Sequence, residues 1–365
     1  MTQGSYEATG VDYDVLDGAK RRALAAAATT LGLPAARGAS VVSASLGEPA
    51  TLLELGGVTL AFVLECLGTK SMIARAYEAS TGVDRFDAIG YDTVAAVVND
   101  LCCVGALPLL INAYVATGSA SWYEGTRHAS LVAGWLRACQ DAGATWGGGE
   151  SPTLSGLIEP EHVDLAGSAV GRLPEGRSPW LGSALAPGDE IVLVAANGLH
   201  ANGASLARRL ADELPSGWTT PLPSGRHYGE AVLDPGVLYA GLVERLWHDS
   251  VPVRYASHIT GHGLRKIMRA DRELTYRIDR LPEVPEVLEF LVGKAGLEPS
   301  EAYATFNMGA GFALFTASGS GRDAVEAARA AGHAALLAGR VEEGPRQVVL
   351  EPIEVTYRGD ELDVR

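Results

Sequence analysis

Short apolar runs alternate with amphipathic stretches along this chain, and glycine or proline separates them. Residues 58–64 form a largely apolar run of strand length, and 107–115, 163–170 and 190–196 also predict strands. Shorter strands are predicted at 274–278, 311–315 and 347–350. Segments of helical period lie between them. Residues 17–31 are alanine-rich and close on Gly32 and Pro34, and 71–81 stop at Gly82. Residues 92–104 predict an apolar helix that nevertheless carries Asn99 and Asp100. Residues 122–142 place Leu131, Trp135 and Ala138 at helical spacing. Further helices are predicted at 204–214, 236–247 and 323–338, whereas 35–57 are mixed and turn-rich. Both halves mix strands and helices, which predicts an α/β or α+β fold. The Pro-, Gly- and Ser-bearing stretch 172–188 reads as a junction between two domains, 1–180 and 181–365.

Composition narrows the partners. The formal net charge is −15, so the surface repels nucleic acid and anionic membranes and favours a small-molecule or protein partner. A nucleotide would need a locally positive or metal-bearing pocket. No stretch is long and apolar enough to predict a membrane span, and the N-terminus shows no secretion signal. Cys66, Cys102, Cys103 and Cys139 match neither a zinc site nor a disulfide framework. A cytoplasmic location is the expectation.

Six segments could carry chemistry. The first is Glu65 to Ser71, directly after the 58–64 run. Gly68 permits close backbone approach, Lys70 can meet a phosphate beside Thr69, and Glu65 can hold a divalent cation. A solvated lysine after a strand is the commoner case. The second is Asn99-Asp100, where a carboxylate on an apolar helix demands a cation or donors. A structural hydrogen bond and a magnesium site shared with Glu65 and Asp92 are evenly weighted. The third is Gly147-Gly148-Gly149-Glu150, a glycine loop for phosphate or a plain tight turn. The fourth is 197–203, where His200 and Asn202 precede a helix; Asn202 is either its cap or part of an anion site. The last two are 258–263, with His258 and Thr260, and 305–311.

In this order and at these separations the segments resemble the aminoimidazole ribonucleotide synthetase family, also called phosphoribosylformylglycinamidine cyclo-ligase. The resemblance runs from Ser5-Tyr6-Glu7-Ala8-Thr9-Gly10-Val11-Asp12 to about Leu350. It passes through Gly68-Thr69-Lys70, Val98-Asn99-Asp100, Gly148-Gly149-Glu150, Gly198 to Gly203, His258-Ile259-Thr260-Gly261 and Thr305-Phe306-Asn307. Glu65-Cys66-Leu67 stands where the family usually has Asp-Gly-Val, and His262 where it has glycine.

The resemblance implies two α/β domains, with the N-terminal domains of two subunits paired in a homodimer. It implies ATP and Mg²⁺ and a small phosphorylated substrate whose amide oxygen is phosphorylated before ring closure. Lys70, Asp100 and His200 would then be catalytic. Gly68, Thr69, Lys70, Asn99, Gly148, Gly149, Glu150 and Asn202 would bind nucleotide, and Glu65, Asp92 and Asp100 metal. Two alternatives stay open: the same chemistry on another amide or acid, and a non-catalytic nucleotide-binding homologue.

Overall fold

A computed structural model describes residues 13–362, with side chains from residue 18 onward. The opening segment 5–12 lies outside the described residues. After α1 (Tyr13–Ala28) come β1 (Ala39–Val41), β2 (Thr51–Leu55), β3 (Val58–Cys66), α2 (Lys70–Thr81), α3 (Phe86–Cys103) and β4 (Leu107–Thr117). Then follow α4 (Thr126–Asp141), β5 (Thr145–Glu150) and β6 (Val163–Arg172). Their strands form a six-stranded sheet in the order β1-β2-β3-β6-β4-β5, antiparallel except where β4 meets β5.

Alternation sets the two faces of this sheet. On β3, Ala61 and Val63 are buried against the core that α3 covers, while Phe62 and Leu64 point away. The helical layer is tight because two glycines let α3 and α4 touch backbone to backbone. A Cβ on Gly134 would lie 1.8 Å from the carbonyl oxygen of Asp87, and one on Gly90 2.2 Å from that of Leu131. The opposite face stays bare, with Leu55, Val58, Phe62, Leu64 and Leu109 all exposed.

The second half contributes β7 (Glu190–Ala195), α5 (Ala204–Glu213), α6 (Tyr228–Val232), α7 (Ala240–His248), β8 (Val253–His258) and β9 (Leu274–Ile278). It continues with α8 (Glu286–Ala295), α9 (Pro299–Thr305), β10 (Ala310–Thr316), α10 (Gly321–Ala330), β11 (Ala335–Glu343), β12 (Gln347–Leu350) and β13 (Val355–Arg358). The sheet order is β13-β12-β9-β11-β7-β10-β8. Central β7 and β10 are nearly all buried, which explains their unbroken apolar sequences.

The structure departs from the sequence pattern in five places, and three of the departures have a local cause. Residues 147–149 are not a loop but part of β5; Gly149 pairs with Ala113, and a Cβ there would meet the Ala113 carbonyl oxygen at 1.9 Å. The predicted helix 323–338 stops at Ala330, because Gly332 adopts φ +86° and residues 335–337 pair with β7. The helix predicted from 236 starts at Ala240, because the amides of Gly236 and Tyr239 are bound to side chains of α3. Finally, α3 starts at Phe86 rather than 92, and two short strands lie within 35–57.

Candidate functional site

The interface between the two sheets' layers is organised by α3. Its positions 92 and 99 are seven residues apart and share one stripe; position 100 is turned about 100° from 99. The 92/99 stripe is bolted to residues 234–239. Asp92 Oδ1 accepts from the Gly236 amide at 2.6 Å, and Asp92 Oδ2 pairs with Lys70 Nζ at 2.5 Å. Lys70 Nζ also donates to the Asp234 carbonyl at 3.4 Å. Asn99 donates through Nδ2 to the Val237 carbonyl and accepts through Oδ1 from the Tyr239 amide, both at 2.9 Å. Lys70 is fully buried, with a relative exposure of 0%.

His200 belongs to the same interface. It is buried, its Nε2 lies 2.9 Å from Asn197 Oδ1, and burial pushes it down to about 3, so it is neutral. Its backbone has φ +58°. Gly236 packs where any Cβ would press on Asp92 and the His200 ring.

Asp100, by contrast, faces a cleft of about 430 Å³. Glu65 reaches the same cleft from the end of β3, on the inward face that carries Ala61 and Val63. Asn202 lines it and is fixed by donating to the Thr305 carbonyl at 2.6 Å. The opposite wall comes from the second domain: His258 at the end of β8, then Thr260, and then Lys266 and Arg269 from the 3-10 turn Gly263–Met268 and the residue after it.

His258 Nδ1 lies 3.2 Å from Asp100 Oδ1, and burial lowers the affinity of His258 for a second proton. A neutral His258 protonated at Nδ1 would donate to Asp100 and orient it. Arg269 reaches back to the Gly47 carbonyl at 2.9 Å and to Glu48 at 3.8 Å.

Electrostatics mark the cleft as a place for a charged ligand. Burial, and then the Asp100 charge, raise the Glu65 carboxyl above its usual range. Burial, and then Arg269, push the Lys266 ammonium down to about 8. Among the described residues, no group of three or more His, Cys, Asp or Glu forms a ready metal cage. Glu65 and Asp100 nevertheless suit Mg²⁺, which takes one or two carboxylates and fills its other positions with water and phosphate oxygens. On Glu65, burial and the Asp100 charge outweigh Lys266 and Lys20, which offset part of the rise.

The structure therefore gathers Glu65, Asp100 and Asn202, and holds Lys70, Asp92, Asn99 and His200 in the neighbouring interface. Gly68 and Thr69 form the exposed turn between them; Gly68 has φ +71° and Thr69 sits at the N-cap of α2. Gly148, Gly149 and Glu150 are not in this cleft. They line a separate cavity of about 180 Å³ with Trp135 and His128. Three strand spacings, about 14 Å, separate β5 from β3. Lys266 and Arg269 lie just past the 258–263 segment and Glu48 in the turn-rich stretch 35–57, where no periodicity points their side chains at a site.

Family models extend over both halves. Residues 47–173 match the N-terminal domain of AIR synthase related protein, and residues 186–351 match its C-terminal domain. The chain belongs to the AIR synthase related family. A relative in Anaeromyxobacter sp. (strain Fw109-5), named phosphoribosylformylglycinamidine cyclo-ligase, is 39% identical over 293 residues, covering 79% of this chain and 81% of the relative. One of the same name in Carboxydothermus hydrogenoformans is 32% identical over 364 residues, covering 96% and 99%.

AIR synthase related architecture also appears in solved structures. Protein tt0281 from Thermus thermophilus aligns with a TM-score of 0.55 at 20% identity, covering 84% of this chain and 90% of that one. The hydrogenase maturation protein HypE in complex with ATP aligns at 0.58 and 18% identity, covering 82% and 83%. At these identities the likeness is one of fold. Among the described residues, no helix is long and apolar enough to cross a membrane.

Proposed function

We propose that this protein is an ATP-dependent cyclo-ligase that closes the imidazole ring of aminoimidazole ribonucleotide from formylglycinamidine ribonucleotide. The observation that carries the reading is the convergence, in one cleft lined by both family domains, of the carboxylates Glu48, Glu65 and Asp100 and the cationic side chains Lys20, Lys266 and Arg269. A relative that matches 96% of this chain bears the cyclo-ligase name.

The reaction needs what such a cleft offers. The terminal phosphoryl group of ATP moves to the amide oxygen of the substrate, turning a poor leaving group into phosphate. The ribose-bearing amidine nitrogen of the same molecule then attacks that carbon, the C–O bond breaks, phosphate departs and a proton is lost. Catalysis is mostly positioning and charge neutralisation. Glu65 and Asp100 would hold Mg²⁺, which when bound supplies positive charge to the phosphate oxygens. Asn202 fixes the loop that begins α5 against Thr305, so that the loop can serve as a rigid wall for the substrate.

Mixing the full chain with formylglycinamidine ribonucleotide, ATP and MgCl₂ is expected to give one ADP, one phosphate and a product lighter by one water, read by mass spectrometry. ATP consumption only with a different amide would assign the chemistry to another substrate.

We further propose that the protein is a cytoplasmic homodimer joined through the bare face of the N-terminal sheet. Leu64 is 74% exposed near one end of this face, Phe62 follows it along β3, Leu55 and Val58 pair at the other end, and Leu109 lies two strands away on β4. A contiguous apolar sheet face of this kind is a docking surface rather than a solvated one. The Leu64→Glu variant is expected to sediment as a monomer where the parent sediments as a dimer. An unchanged sedimentation coefficient would place the interface elsewhere.

A further inference from the structure

Lys266 is a half-buried cation on the cleft wall for which the sequence motifs provide no role. Among the described residues its ammonium makes one hydrogen bond, donated to Thr260 Oγ1. The 3-10 turn that carries it is held rigidly. Gly263 opens the turn at φ +51°, where a Cβ would meet the Tyr303 carbonyl oxygen at 2.2 Å. Arg265 anchors the turn through the carbonyls of Ala304 and Glu361, both at 3.0 Å. The hydroxyl of Thr260 sets the direction of the ammonium across the cleft from Glu65 and Asp100.

We propose that Lys266 is a catalytic residue: its ammonium, aimed by Thr260, contacts the phosphoryl group as it passes from nucleotide to substrate. This rests on the ATP-dependent reading above. Lys70, the lysine of the Gly68-Thr69-Lys70 motif, is spent on Asp92 and has no access to the cleft. Lys20 on α1 also lines the cleft, but it is Lys266 whose ammonium is aimed by a hydrogen bond to Thr260 Oγ1, and Lys266 therefore supplies the ammonium that the chemistry requires. Arg269 stands behind it, engaged with Glu48 and Gly47, and adds positive potential without needing to touch the ligand. Burial and Arg269 disfavour the charged ammonium in the cleft. A polyanion arriving there relieves that cost, which is how a preorganised site differs from a solvated surface lysine.

The opposing reading makes Lys266 only a counter-ion for Glu65 and Asp100. The two readings separate on Lys266→Met, which keeps the aliphatic stem, with Lys266→Gln as a second variant should Met fail to fold. Three measurements are made on the full chain: melting temperature, turnover against MgCl₂ concentration, and calorimetric titration with the non-hydrolysable analogue adenylyl imidodiphosphate plus MgCl₂. A phosphoryl contact predicts an unchanged melting temperature and a kcat lower by about 10²-fold. It also predicts weaker binding of the analogue and an unchanged half-saturating MgCl₂ concentration. A counter-ion predicts preserved kcat and a lower half-saturating MgCl₂ concentration, and that pair of results overturns the proposal. Should the parent protein not turn over formylglycinamidine ribonucleotide, the substrate reading fails on its own. The analogue titration still decides Lys266: undiminished binding in both variants removes it from the site.

Discussion

Lys70→Met is expected to destabilise the protein by about 3–5 kcal/mol, enough to leave a marginally stable chain largely unfolded. The reason lies in what the substitution leaves behind. Asp92 is 2% exposed, and its Oδ2 has Lys70 as its ion-pair partner. Removing the ammonium strands a carboxylate in a dry interface, with the Gly236 amide as its remaining donor. Methionine fills the volume but cannot compensate the charge. The damage would spread, because the Lys70–Asp92 pair joins α2, α3 and residues 234–236 at one point.

Chemical denaturation monitored by tryptophan fluorescence measures the loss. The double variant Lys70→Met with Asp92→Leu serves as the control, because replacing both partners of a buried pair by apolar groups is often neutral. Recovery of most of the stability in the double variant identifies the pair as structural. A Lys70→Met protein of parental stability that has lost nucleotide binding would return Lys70 to the phosphate site.

Two neighbouring residues show how far the sequence could be read. Asn99 and Asp100 are adjacent polar residues on an apolar helix, and the sequence offers no reason to separate them. In the folded chain the 100° turn per residue sends Asn99 into the contact with Val237 and Tyr239, and Asp100 into the cleft. Which face of α3 meets the second domain is a tertiary fact, and local pattern does not encode it.

The same limit applies to Glu65 and Lys70. Both follow a run that is plainly a strand, yet the strand's alternation takes Glu65 to the cleft while the Gly68 turn carries Lys70 into the interface. β7 and β10 are legible because burial on both faces writes long apolar runs, whereas β3 is legible because its bare outer face is apolar as well as its packed inner one. The helix predicted at 323–338 failed at Gly332, where alanines on both sides hide a left-handed turn. Lys266 was invisible because a 3-10 turn has no period of its own to betray it.

Asp100→Asn is expected to reduce kcat by roughly 10³-fold, about 4 kcal/mol of transition-state stabilisation, with the melting temperature close to that of the parent. The substitution is isosteric and keeps an acceptor for His258 Nδ1, whose 3.2 Å contact aims the side chain. What it removes is one negative charge of the pair, leaving Glu65 alone to meet a divalent cation. The sign of a secondary effect follows from the same pair. The charge of Asp100 helps to raise the Glu65 carboxyl, so its removal should bring Glu65 down toward its ordinary range. That shift works against metal loss, so a residual activity that recovers in part at high MgCl₂ is expected. Stopped turnover with unchanged analogue binding would show Asp100 acting on the phosphoryl group alone. Full activity at ordinary MgCl₂ would remove it from the catalytic set. His258→Asn, which deletes the ring that aims Asp100 while preserving its charge, should cost less than Asp100→Asn. If Asp100 acts by being held in one orientation, the two losses will not add in the double variant, because the same carboxylate carries both.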